Sequence, residues 1–551
     1  MDRHREMFST GARLILATLL ASCTSPSGAS AEPDPSDDGA AAEAAAALER
    51  DASAAAFAIT EEGPVRGVAT AATRVFRGIP YAAAPVGSLR WQPPQRPARR
   101  RGVLDATQFA SHCPQIGGPM GIASATENCL FLNVWAPSGD GRVELARLPV
   151  MVWIHGGGLV DGESDDYDAT RLVAKGVIVV TINYRLGELG SLAHPALTAE
   201  SPDHASGNYG LMDQAEALRW VRRNIALFGG DPSNVTIFGE SAGGLSVHSQ
   251  LASPLSRGLF HRAIVESGAY QLAQPTLADA EAQGVAFASA AGCTDQTAAC
   301  LRNLTVAQIL AVQPGGVAGA SPTIDHRFLT QSIGAAFASG AFNRVPILEG
   351  SNHEDFRLLV AINELATGAP LTADGYAAAI STTLGVPAAA APLFEAQYPL
   401  ASFASPSLAL SALGTDAVFA CSARFVAQSA SKFVPTFVYE FQDPNPPETF
   451  LPPVSFPYAA AHASELQFLF DARQAIPARP LDAGELELAD AMTSYWATFA
   501  RTGQPTALTT PPWTAFDTST DNVQALVPPS PAAETTFAVD HNCAFWDALR
   551  Q

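Results

Sequence analysis

The chain has 551 residues, 47% of them hydrophobic, and carries 53 Asp and Glu against 32 Lys and Arg, a formal charge of -21. So much apolar content can fill a large core and excludes a chain that is disordered overall. So acidic a balance excludes phosphate-backbone binding, which needs clustered Lys and Arg, and no nucleic-acid partner is expected.

Arg3, Arg5 and Arg13 precede an apolar run over 14–20 that is too short to span a bilayer as a helix and ends in Leu20-Ala21-Ser22-Cys23. The tetrapeptide resembles a bacterial lipobox, so residues 1–23 are expected to be a lipoprotein signal peptide with Cys23 as the lipidated mature N-terminus. The protein would then be exported to the cell envelope and held on a membrane by that lipid; an ordinary cleaved signal peptide and a soluble secreted protein is the alternative. Residues 24–55 are rich in Ala, Ser, Pro, Asp and Glu and read as a flexible tether. The rest, 56–551, is expected to be one large domain, since α/β folds with insertions often run long as a single unit.

Within it, Leu148-Pro149-Val150-Met151-Val152-Trp153-Ile154-His155 is a continuous apolar run closed by three glycines, which reads as a strand buried on both faces. Residues 177–182 read the same way. Residues 210–227 place Leu211, Ala215, Leu218, Val221 and Ile225 at helical spacing, then 235–238 is another strand and Leu245 opens a helix. Such alternation predicts a parallel sheet with right-handed crossovers. Further strands are expected at 345–348 and 436–441, with Ala-rich helices between them capping the sheet edge, and the Pro-rich stretches 444–453 and 511–512 read as loops.

Two motifs carry chemistry. Gly239-Glu240-Ser241-Ala242-Gly243 fits G-x-S-x-G directly after a strand and before a helix. A serine on so sharp a turn needs small neighbours, and its hydroxyl then projects at the C-terminal edge of the sheet, where a helix N-terminus favours developing negative charge. His155-Gly156-Gly157-Gly158 follows a buried strand, so the amides of Gly157 and Gly158 with that of Ala242 are expected to form an oxyanion hole. Of seven cysteines, the six beyond Cys23 would form disulfides in an oxidising compartment, for which fifteen pairings exist. Cys113 and Cys129, and likewise Cys293 and Cys300, are close enough in sequence to bridge short loops, leaving Cys421 with Cys543. The cysteines lack CxxC or HxH spacing, so neither a metal nor a cofactor is expected.

The stretch from Phe228-Gly229-Gly230-Asp231 through Gly239-Glu240-Ser241-Ala242-Gly243 resembles the active-serine signature of the type-B carboxylesterase family, which includes cholinesterases and bacterial p-nitrobenzyl esterases. Phe76-Arg77-Gly78-Ile79-Pro80-Tyr81, Glu127-Asn128-Cys129-Leu130-Phe131-Leu132-Asn133-Val134 and Asn208-Tyr209-Gly210-Leu211-Met212-Asp213-Gln214 resemble three further stretches of that family. The resemblance covers about residues 63–546. It implies the α/β-hydrolase fold, a mostly parallel central sheet flanked by helices with helical cap insertions, and a serine hydrolase acting on small carboxylic esters through an acyl-enzyme. It also implies the three disulfides just named. The oligomeric state is left open.

By the same resemblance, His462 in His462-Ala463-Ser464-Glu465 matches the family's base motif, while His326, His353 and His541 have weaker claims. Gly350-Ser351-Asn352-His353-Glu354-Asp355-Phe356 resembles G-x-N-x-D-E-G, whose last acid serves the triad. Here the two acids are exchanged in order and Phe356 stands where the family has Gly. Register selects Asp355 and residue type selects Glu354; Asp355 is taken as the acid with Glu354 as the alternative. Glu240 and Ser267 match positions that hydrogen-bond near the triad. The loop between Cys113 and Cys129 contains no aromatic residue, whereas cholinesterases place there a tryptophan that binds a quaternary ammonium, so that specificity is not expected. Leu159 also follows the glycines where the family usually has Phe.

Overall fold

The computed structural model describes residues 54–550 apart from 120, 139–146, 314–319, 507 and 509. The expected signal peptide, Cys23 and all but the end of the tether lie outside the described residues. Ala54 and Ala55, read from sequence as tether, open the first strand.

In chain order the strands are β1 (Ala54–Thr60), β2 (Gly63–Ala69), β3 (Thr73–Pro80), β4 (Leu104–Asp105), β5 (Phe131–Pro137), β6 (Leu148–Ile154), β7 (Tyr167–Asp168) and β8 (Ile178–Ile182). They continue with β9 (Gly230–Glu240), β10 (Arg262–Glu266), β11 (Ile347–Asn352), β12 (Thr436–Phe441), β13 (Asp471–Ala472), β14 (Val523–Leu526) and β15 (Ala532–Glu534). One sheet runs β1-β2-β3-β5-β8-β6-β9-β10-β11-β12-β14-β15, with β4 beside β2, and β7 pairs with β13 separately. From β8 to β14 every neighbour is parallel. The flank β1-β2-β3-β5 is antiparallel, including its join to β8, while the short β4 pairs with β2 in parallel. The sheet is thus mostly parallel at its centre.

The unbroken apolar runs follow from cover on both faces. Val150, Val152 and Ile154 of β6 point into one core and Met151 and Trp153 into the other, as side chains of period two must. The first core is closed by the helices Tyr209–Asn224 and Ala242–Ala252, the second by Ala483–Thr502, which contributes Leu488, Met492, Tyr495, Trp496 and Phe499. The strand expected at 345–348 begins at Ile347 instead: Pro346 has no N–H to pair, and its carbonyl accepts from Ala263 N before the regular ladder starts.

Between β11 and β12 the chain builds a helical layer with its own core, in which Leu358, Tyr376, Phe394 and Leu413 meet Trp546 of the C-terminal helix. The helical run Pro406–Ala430 is long and apolar enough to cross a membrane, but it is 72% buried in the protein and serves as a core helix. Its middle, Thr415–Ala420, is a π-helical turn. Cys113–Cys129, Cys293–Cys300 and Cys421–Cys543 are disulfide-bonded, the pairing expected, and such bonds form in oxidising compartments.

Candidate active site

β9 ends at Glu240 and the next helix starts at Ala242, leaving Ser241 at φ 56° and ψ -122°, backbone angles that cost an L-residue strain and persist only where the surroundings enforce them. Ser241 N donates to Glu266 O at the end of β10 (2.8 Å), and Leu245 N donates to Ser241 O (2.9 Å). The helix is pressed against β6, since a Cβ on Gly243 would stand 1.9 Å from Ile154 O. Only glycine permits that approach.

β6 delivers the glycine loop to the same edge. Gly157 has φ +94°, and a Cβ there would meet Asp161 O at 2.2 Å. Its carbonyl is engaged inside the loop by Val160 N and Asp161 N, at 2.9 and 3.0 Å. No hydrogen bond among the described residues uses the amides of Gly157, Gly158 or Ala242. Tyr184 stacks on His155 and donates to its carbonyl (2.7 Å), which steadies the start of the loop.

The acid turn follows β11. Asp355 Oδ1 lies 2.5 Å from His462 Nδ1, while Oδ2 accepts from Ser267 Oγ (2.8 Å) and Asn352 N (3.0 Å). His462 N also donates to Asp355 O at 3.2 Å. Glu354 turns the other way: its carboxylate accepts from Ala460 N (3.1 Å) and Arg357 Nη2 (3.4 Å). Register therefore prevails over residue type in deciding which acid meets the imidazole. His353 faces Glu440 and His541 instead, and His326 closes a separate turn through its amide to Leu329 O.

On its other side, His462 Nε2 lies 3.1 Å from Glu240 Oε1. No hydrogen bond joins Ser241 Oγ to His462 among the described residues; Nε2 faces the carboxylate of the residue next to the serine. Such contacts are often loose before substrate arrives. Burial lowers the pKa of His462, but the carboxylates of Glu240 and Asp355 outweigh it and hold the imidazole above its ordinary value. Glu240 is in turn pushed up by burial, against the pull of His462. Glu465 sits behind, its Oε2 accepting from Asn352 Nδ2 (2.5 Å), and Glu266 Oε1 accepts from Trp496 Nε1 (2.8 Å). Burial raises the pKa of both carboxyls.

Several residues of the site escaped sequence reasoning. The π-helical turn brings Phe419 to 4.9 Å from the His462 ring and sets Thr415 Oγ1 to accept from Phe356 N (3.0 Å). An extra residue in a helical turn leaves no hydrophobic period to read. Phe356, where the family has Gly, is buried against Gly414, at which any Cβ would stand 2.3 Å from its ring. The large residue in one segment is matched by the small one in another, which no local pattern signals.

Parallel strands covered on both faces, with a serine on the turn after β9 and the glycine loop beside it, make this an α/β-hydrolase. A sequence model of the carboxylesterase family matches residues 54–546, so the chain belongs to that family and is a carboxylic-ester hydrolase of the serine type. It is 35% identical to the fumonisin B1 esterase of Sphingopyxis macrogoltabida over 83% of this chain and 84% of that one. It is 34% identical to the para-nitrobenzyl esterase of Bacillus subtilis (strain 168), over 81% of this chain and 90% of that one. Among solved structures a PNB esterase superposes with a TM-score of 0.72 at 31% identity, covering 87% of this chain and 97% of the other.

Proposed function

We propose that Ser241 is the nucleophile, His462 the general base and Asp355 the orienting acid of a triad that cleaves small carboxylic esters through an acyl-enzyme. His462 removes the proton of Ser241 as Oγ adds to the ester carbonyl, and the tetrahedral oxyanion is received by the amides of Gly157, Gly158 and Ala242. Collapse expels the alkoxide, which takes the proton back from His462 Nε2. Water then repeats the sequence on the acyl-enzyme and releases the carboxylic acid. Asp355 holds Nδ1 and stabilises the imidazolium, with Ser267 fixing the carboxylate and Glu240 lending negative charge from the Nε2 side.

The observation that carries this reading is the Asp355–His462 pair, 2.5 Å apart and buried. Ser267 and Asn352 hold the other oxygen of Asp355, and His462 Nε2 faces Glu240, the residue next to Ser241, so the pair ends beside the serine turn. Ser241→Ala should lower hydrolysis of p-nitrophenyl acetate by roughly 10⁴-fold or more while the protein remains folded. Turnover at the wild-type rate by that variant rules the mechanism out. We further infer that the enzyme is exported and tethered by a lipid on Cys23, in keeping with its three disulfides. Cys23→Ala should move the enzyme from the membrane to the soluble fraction, and unchanged partitioning speaks against the anchor.

A further inference from the structure

Beyond the triad, a second group of titratable side chains gathers where the acid turn, β12 and the C-terminal segment meet. His353 Nδ1 lies 3.1 Å and His541 Nε2 2.5 Å from the same oxygen, Glu440 Oε1. One potential ligand atom from each residue falls within 4.8 Å of the others. Glu534 on β15 stands alongside: its Oε2 shares the Gln442 side-chain amide with Glu440 Oε2, and its Oε1 is buried with no hydrogen-bond partner.

We propose that His353, Glu440 and His541 bind a divalent transition-metal ion of the zinc class. Two imidazoles and a carboxylate suit Zn²⁺, Co²⁺ or Ni²⁺ rather than Mg²⁺ or Ca²⁺, which prefer oxygen alone. Zinc bonds of about 2.1 Å place tetrahedral ligands about 3.4 Å apart, so the two nitrogens that now lie 3.1 and 2.5 Å from Glu440 Oε1 would move outward to admit the ion. The adjustment needed is small, and the His353 side chain, 40% exposed, is free to make it and to admit the ion.

The surroundings of His541 are those of a metal ligand. Its Nδ1 is held by Asp416 Oδ1 (2.7 Å), which leaves Nε2 facing the cluster. Asp416 Oδ2 is itself fixed by Tyr398 OH (2.7 Å) and Asn542 Nδ2 (3.1 Å). A carboxylate on the far nitrogen orients a metal-binding imidazole and raises its basicity. The π-helical turn that carries Phe419 to the triad carries Asp416 to this cluster. A bound ion would fasten three segments distant in sequence: the turn bearing Asp355, strand β12, and the C-terminal segment beside the Cys421–Cys543 bridge.

The alternative is a metal-free network in which protonated histidines offset the carboxylates. Full-length protein stripped with EDTA and titrated with ZnCl₂ by calorimetry separates the two. The metal site predicts one saturable equivalent, a Tm that climbs with the logarithm of free Zn²⁺, and visible d–d absorption when Co²⁺ replaces Zn²⁺. His353→Ala, a change at the exposed ligand that leaves the buried pair intact, should abolish all three. Asp416→Asn should weaken binding by about 10–100-fold. Absence of saturable binding to the wild type, or equal binding by His353→Ala, overturns the proposal and leaves the cluster an ion network.

Discussion

The turns after β9 and after β11 lie two strands apart at one edge of the sheet, and they are held by opposite means. Around Ser241 the constraints are steric and main-chain: glycines let the helix touch β6, and backbone bonds to Glu266 and Leu245 lock the bend. Around Asp355 they are polar and come from afar. Ser267, Thr415, Ala460 and His462 each reach the turn from a different segment. In the proposed mechanism the nucleophile needs only a rigid bend, whereas the acid must be aimed, and aiming takes several partners.

The contrast is broken most sharply at the two adjacent acids. Asp355→Asn should lower kcat by about 10⁴-fold, because an amide cannot hold the imidazole in the tautomer that accepts the serine proton. Glu354→Gln, in a residue tied to Ala460 N and Arg357, should leave kcat within a few-fold. The reverse ranking in steady-state assays on the purified variants would reassign the acid.

A smaller change tests the remote support of the same turn. Ser267→Ala removes one hydrogen bond to a buried carboxylate, worth about 1.5 kcal/mol, and should reduce kcat roughly tenfold with little change in KM. A drop in KM-governed binding alone would place Ser267 on the substrate side instead.

The least effect on maximal rate, and the most informative on pH, is expected from Glu240→Gln. As the proposed base His462 would act only when neutral, and the Glu240 carboxylate favours its charged form, so the acid limb of kcat/KM should lie above the ordinary imidazole value of 6.5. Removing that negative charge lowers the pKa and should slide the limb toward lower pH. A limb that stays in place would show that Glu240 does not face the imidazole in solution.

How much could be read in advance follows the same division. Ser241, the glycine loop and the strands β6, β8 and β9 were legible because each is specified by neighbours within a few residues: apolar runs for burial on both faces, glycines for close approach. Asp355 was legible only through its register, with Glu354 left open, since the choice depends on where Ala460 and Ser267 lie. Phe356 read as an anomaly until Gly414 came to rest against it. The π-helical turn gave no period to follow, and the cluster of His353, Glu440 and His541 draws on residues too far apart for spacing to mean anything.

The order of residues alone therefore determined the class of sheet, the serine bend and the amides beside it, because local sterics and burial period act over a few bonds. The tertiary structure alone decided which acid meets His462, what sits on its other nitrogen, and which carboxylates share the buried space. Those are settled by partners brought together across more than a hundred residues, where only the packed chain sets direction and distance.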